Sequence, residues 1–255
     1  MSLALPLLGL LAFLAGFVDA VAGGGGLIQL PALFAVLPGA PPATLFGTNK
    51  LASICGTLAA ATQYVRRVTL PRPILGPALL AALAGAFLGA RTVSLLPQAL
   101  VRHGVLVLLG LVAIHTFRRH DFGMRHAPRL EPRTAAIAAA VTGAAIGFYD
   151  GVFGPGTGAF LVFVFVRVFG YDFLHASAAA KLVNLATNFA ALAWFLPAGH
   201  VVWSHAALMA ACNVAGALAG SHLTIRRGSR FVRRVFLAVV LVLLAKLAID
   251  AVRGA

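Results

Sequence analysis

Residues 16–26 read GFVDAVAGGGG and residues 147–157 read GFYDGVFGPGT, and laying one on the other without a gap brings the rest of the chain into register with itself at a shift of 131. In that register Asp19 meets Asp150, Gly23 and Gly25 meet Gly154 and Gly156, Phe34 meets Phe165, and Lys50-Leu51 meets Lys181-Leu182. Further along, Gly85 to Gly89 falls on Gly216 to Gly220, and Arg102 falls on Arg233. Only 10% of the residues are charged, so two apolar segments that merely share a composition would seldom repeat an aspartate and a lysine at matched places. The chain is therefore read as two halves, residues 1–117 and 134–255, joined by a basic stretch at 118–133. The expected functional unit is the pair of halves facing each other.

Composition names the solvent. With 61% hydrophobic residues and a mean hydropathy of +0.97 over 255 residues, there is too little polar surface to cover a water-soluble globule, and the partner implied is a lipid bilayer. A net charge of +14 raises the question of nucleic acid, but the arginines lie in short clusters between apolar runs without interleaved aromatics, which excludes that class and marks loops on one side of a membrane. Cys55 and Cys212 sit inside apolar segments without metal or redox spacing, so no disulfide, metal site or cofactor is expected. Ala20-Val21-Ala22 imitates a signal-peptide cleavage site, but no basic n-region precedes it and its repeat counterpart lies mid-chain; the first segment reads as a retained helix.

Apolar runs cover about 3–22, 27–37, 43–65, 74–96 and 101–117, and then again 135–153, 159–169, 174–196, 205–224 and 232–252. Crossing the hydrocarbon core takes about 20 residues. The run after each glycine cluster is too short and is expected to be a half-helix or a returning arm. Basic loops follow the third run (Arg66, Arg67, Arg72), fill the linker (Arg118, Arg119, Arg125, Arg129, Arg133) and separate the last two runs (Arg226, Arg227, Arg230, Arg233, Arg234). An odd number of crossings per half puts all three clusters and Arg167 on the cytoplasmic side, leaving Arg91, Arg102 and Arg253 opposite. The fold class predicted is an all-α polytopic membrane protein of two inverted repeats with glycine-rich broken or re-entrant helices.

Such architectures belong to secondary transporters, whose substrates sit near the midplane at the repeat interface. A run like Gly23 to Gly26 lets the backbone leave the helix, and the next helix begins with orphan amides and a positive dipole end. Gly24, Gly25 and Gly26 in the first half, with Gly156 and Thr157 in the second, thus form a candidate anion site; the alternative is that the small residues allow close packing, the reading preferred for Gly85, Gly89, Gly216 and Gly220. Lys50 and Lys181 are intramembrane ammonium groups, read either as substrate contacts or as snorkelling or aspartate-paired structural groups. Thr48, Asn49 and Asn184 add hydrogen-bonding groups, with Thr44 and Asn188 nearby. Asp19 and Asp150 are either proton-coupling carboxylates or caps and lysine partners, and His175 is the histidine nearest Lys181 in sequence. His175, like His115, His200, His205 and His222, shows no metal-ligand clustering.

At these residues the chain resembles the TauE/SafE family of sulfite exporters and toluene-sulfonate uptake permeases. The resemblance rests on GFVDAVAGGGGLIQLPAL from Gly16 followed by GTNK at Gly47 to Lys50, with the weaker echoes GFYDGVFGPGTG and AAAKLVNLATN in the second half. It implies a bacterial cytoplasmic-membrane permease for sulfur-containing anions such as sulfite or sulfoacetate. The second copy has Ala179-Ala180 before Lys181, so Thr48 and Asn49 lack symmetric partners and an asymmetric site is expected. Three function classes stay open: an alternating-access exporter, a passive anion channel, and an intramembrane enzyme, for which no catalytic constellation is visible. A homodimer is left open.

Overall fold

The computed structural model describes residues 4–70, 72–92 and 123–252, and the described residues are helical with no strand. The helices are α1 (Ala4–Ala22), α2 (Gly26–Val36), α3 (Pro42–Arg67), α4 (Arg72–Thr92), α5 (Pro132–Val152), α6 (Thr157–Arg167), α7 (Phe173–Phe195) and α8 (Trp203–Val252). The fifth apolar run of the first half and the first residues of the linker, with Arg102, His115, Arg118 and Arg119, lie outside the described residues.

Among the described residues, four helices are long and apolar enough to cross a membrane: α1, residues 74–92 of α4, α5, and residues 203–239 of α8. They present large apolar side chains outward, Leu7, Leu80, Val141 and Leu218 among them, as a lipid-facing surface requires. The two longest interior helices differ. α3 (26 residues) and α7 (23 residues) carry Thr48, Asn49, Lys50 and Thr57, and Ser177, Lys181, Asn184, Thr187 and Asn188, all buried. These buried polar side chains are kept from lipid by the outer helices around them.

Glycine sets the tightest contacts between the outer and the partner helices. A Cβ on Gly85 or Gly89 of α4 would collide with the carbonyl oxygens of Ala144 and Phe148 on α5, and one on Gly216 or Gly220 of α8 with those of Phe13 and Phe17 on α1. The second set is the first with the halves exchanged: each residue is replaced by its counterpart 131 positions away. These four glycines are packing residues, bringing backbones together as small residues do in membrane interiors.

α3 and α7 are also equivalent elements, and they run antiparallel. At one end Thr48 Oγ1 accepts from the Val202 amide at 2.9 Å and Thr44 Oγ1 lies 3.4 Å from His200 Nδ1. At the other end Tyr64 and Val68 pack with Leu174 and Ile225. That second end gathers Arg66 and Arg67, the linker residues after Gly123, and the start of α7, where the Leu174 amide donates to Ser229 Oγ at 3.1 Å. The basic clusters therefore share one end of the molecule.

α8 departs from the sequence expectation. Instead of two helices parted by a basic loop, helix runs through Arg226 and Arg227 and resumes at once, broken only at Gly228 (φ 66°, ψ −164°). Arginine is a good helix former and its long stem lets the guanidinium leave the apolar zone, so a cluster of arginines alone does not unwind a helix. The left-handed glycine does.

Candidate functional site

Both glycine breaks fall where α1 and α5 end, and they touch. Gly23 (φ 79°) and Gly24 (φ 100°) form the first, Gly154 (φ 81°) and Gly156 (φ 85°) the second. A Cβ on Gly23 would meet the backbone of Gly158 and Ala159. Only glycine combines this left-handed backbone with so close an approach. The carbonyls freed at the breaks find partners, as burial in an apolar solvent demands: Tyr64 Oη donates to Ala20 O at 2.8 Å, Ser177 Oγ to Val21 O at 2.9 Å, and Tyr149 Oη to Pro155 O at 2.5 Å.

The amides at these breaks are more engaged than a bare helix start. Leu27 N donates to Gly24 O and Ile28 N to Gly25 O, both at 3.0 Å, and Thr157 N to Gly154 O at 3.3 Å. These are tight i→i+3 closures, which leave few free donors for an anion.

The lysines and aspartates pair crosswise. Lys50 Nζ donates to Asp150 Oδ2 at 2.5 Å, and Lys181 Nζ to Asp19 Oδ2 at 2.6 Å. Each lysine thus meets the carboxylate of the other half, and each carboxylate turns its second oxygen to its own break: Asp150 Oδ1 accepts from Thr157 Oγ1 at 2.6 Å, and Asp19 Oδ1 from the Gly25 amide at 3.4 Å. The centre carries two cations and two carboxylates, compensated in place.

A cavity of about 20 Å³ lies at this crossing, lined by Asp19, Gly24, Gly25, Gly26, Asn49, Lys50, Asp150, Gly156, Thr157 and Asn184, together with Ser53, Gly154, Gly158 and Asn188. Its volume suits about one water molecule. Two polar atoms of its lining residues, Asn49 Oδ1 and Asn188 Nδ2, are buried without a protein hydrogen-bond partner. Buried amides seldom stay unsatisfied, so this lining has unused hydrogen-bonding capacity.

Ser53 was not a sequence candidate, yet it is the counterpart of Asn184 at the 131 shift; its hydroxyl donates to Gln29 Oε1 at 3.1 Å. Thr48 lies off the cavity, its hydroxyl donating to Thr44 O at 2.6 Å while accepting from Val202. His175 is also apart, at the start of α7: its Nδ1 is 2.9 Å from both oxygens of Asp172, and its ring lies 4.1 Å centroid to centroid from that of His126. The histidines read as unclustered thus include one that joins a group of three, because His126 reaches it from the linker. At Asp172 burial works upward, but the hydrogen bonds from the His175 ring and amide and the charges of the two imidazoles outweigh it and hold the carboxyl below its usual range. At His126 burial and then His175 push the imidazole downward against the opposing charge of Asp172.

Residues 8–247 match the model of a family described as sulfite exporter TauE/SafE. The chain is 35% identical over 242 residues to a probable membrane transporter protein, ORF9, of Sinorhizobium sp., covering 94% of this chain and 90% of that one. It is 34% identical over 251 residues to the probable membrane transporter protein YfcA of Escherichia coli K12, covering 97% and 91%, and 30% identical over 238 residues to a probable membrane transporter protein of Haemophilus influenzae, covering 93% and 92%. No solved structure matches.

Proposed function

The chain belongs to the sulfite exporter TauE/SafE family and is a membrane transporter, and on that premise we propose that it exports small sulfur-containing oxyanions, sulfite or organosulfonates such as sulfoacetate, by alternating access. The observation that carries the reading is the crosswise set Lys50–Asp150 and Lys181–Asp19 around a small polar cavity between the halves. The halves act as inverted repeats, each glycine break a re-entrant turn near the midplane, with the arginine-rich end in the cytoplasm of a bacterial inner membrane. The single exchange relation that holds for the ion pairs and for the glycine contacts supports this.

Charge balance shapes the mechanism. A lysine already neutralised by a carboxylate attracts an anion only when that carboxylate is displaced or protonated. The cavity holds about 20 Å³, less than an oxyanion needs, so the proposed cycle opens it from one side at a time. The anion then takes the place of a carboxylate on Lys50 or Lys181 and accepts a hydrogen bond from the unpartnered Asn188 Nδ2. Export is assisted by an inside-negative potential at about 2.3 kcal/mol per charge per 100 mV, so no coupling ion is needed in that direction.

The test is counterflow of labelled sulfite and sulfoacetate in proteoliposomes, for the unaltered protein beside Lys50→Ala and Lys181→Ala. Saturable counterflow, lost in both variants, is the expected result. Flux that rises linearly with concentration without counterflow would make the protein a channel, and saturable counterflow retained in both variants would move the site elsewhere.

A further inference from the structure

We propose that His126, Asp172 and His175 form a binding site for a borderline divalent transition-metal ion, of the zinc, cobalt or nickel class, which ties the linker to the first turn of α7. One ligand atom from each residue lies within 4.8 Å of the others. His126 comes from the linker, Asp172 is the N-cap of α7 and His175 stands one turn into it. The set is separate from the ion-paired cavity, and the inference does not depend on what that cavity carries.

The site is built by its backbone. Phe173 N donates to Gly123 O and Ala127 N to Gly170 O, both at 2.8 Å, with Arg129 N reaching Phe169 O at 3.3 Å. These bonds bracket His126 and hold the linker segment alongside the loop that carries Asp172. The His126 ring is further fixed by stacking on Tyr171, 5.2 Å away with planes 12° apart. Asp172 uses Oδ1 to cap the helix through the His175 amide at 2.9 Å, which leaves Oδ2 facing the two imidazoles, 2.9 Å from His175 Nδ1 and 3.9 Å from His126 Nδ1. Tetrahedral metal–ligand bonds of about 2.0–2.2 Å set ligand atoms about 3.3–3.6 Å apart, so the Asp172–His175 contact opens slightly from 2.9 Å while His126 moves in from 3.9 Å. The His126 side chain, 37% exposed, has room to make that adjustment.

Donor chemistry selects the ion. Two imidazoles and one carboxylate suit zinc, cobalt and nickel, whereas calcium and magnesium want six or more oxygens and find one carboxylate here. Three protein ligands leave a fourth position for water, as in sites that remain accessible to solvent.

The experiment is a titration of the tag-free, full-length protein in detergent with Co²⁺, followed by its visible ligand-field absorption, and then displacement with Zn²⁺. Two variants carry the discrimination. His126→Phe keeps a ring to stack on Tyr171 but removes a ligand, and Asp172→Asn keeps a helix-capping oxygen but removes the charge. The expected result is a Co²⁺ spectrum in the unaltered protein, bleached by Zn²⁺, with affinity falling more than about 100-fold in His126→Phe, beyond the 10–100-fold that loss of an outer-shell partner costs. Absence of the absorption, or titrations that coincide for the unaltered protein and both variants, would overturn the proposal and leave the three residues as a helix cap with stacked rings.

Discussion

Lys50 and Lys181 occupy equivalent places in the two halves, yet the carboxylates that meet them are held differently. Asp150 is 1% exposed and takes a short hydrogen bond from Thr157, whereas Asp19 is 16% exposed and has only the long contact to the Gly25 amide. The reason is a single residue: the position matching Thr157 in the first half is Gly26, which offers no hydroxyl. The two pairs carry the same charges with different hydrogen-bond support. The Lys50–Asp150 pair is thereby the fixed side of the centre, and Lys181–Asp19 the side more readily released.

Breaking the fixed side has the larger effect. Asp150→Ala leaves the Lys50 ammonium buried without its carboxylate, and removal of one partner from such a pair costs about 3–5 kcal/mol; the loss is read from unfolding of the purified protein in detergent. Asp19→Ala strands Lys181, which is just as buried, and is expected to cost less only by the Thr157 hydrogen bond that is lost with Asp150, about 1.5–3 kcal/mol. Equal losses in the two variants would remove the asymmetry argued above. Thr157→Val tests its cause: losing a hydroxyl that donates to a charged oxygen costs about 1.5–3 kcal/mol, and the change should fall on the stability of the Asp150 pair without altering that of Asp19. A double-mutant cycle between Thr157→Val and Asp150→Ala checks this, since a direct bond requires a coupling energy of at least about 0.5 kcal/mol.

Much of this centre was legible in the sequence, because a repeat names equivalent residues. Asp19 with Asp150, Lys50 with Lys181, and the glycine breaks all follow from one shift. What a shift does not say is which equivalents touch. That each lysine pairs with the other half's aspartate is set by packing α3 and α7 antiparallel between the outer helices, a long-range choice with no local signature. The same shift applied to Asn184 would have found Ser53. Thr48 is engaged away from the cavity for a local reason: a threonine on a helix often bonds the carbonyl four residues back, and here it also receives the amide of Val202. His126 could not be joined to His175 from spacing, since the hydrogen bonds that align linker and loop are between backbones and carry no side-chain code. Helix boundaries followed apolar runs closely, except at Arg226 and Arg227, where charge suggested a loop and propensity kept the helix as far as Gly228.

The crossed pairing also bears on how the protein is made. Partners of Lys50 and Asp19 lie 100 and 162 residues further along the chain. At a synthesis rate of about 5–20 residues per second, the first half therefore waits on the order of ten seconds in the membrane with an ammonium and a carboxylate whose final neutralising groups do not yet exist. α1 waits longer still, for the glycines of α8 that receive it. The first half cannot reach its final packing until the second has been made, so for biogenesis the two halves form a single indivisible unit.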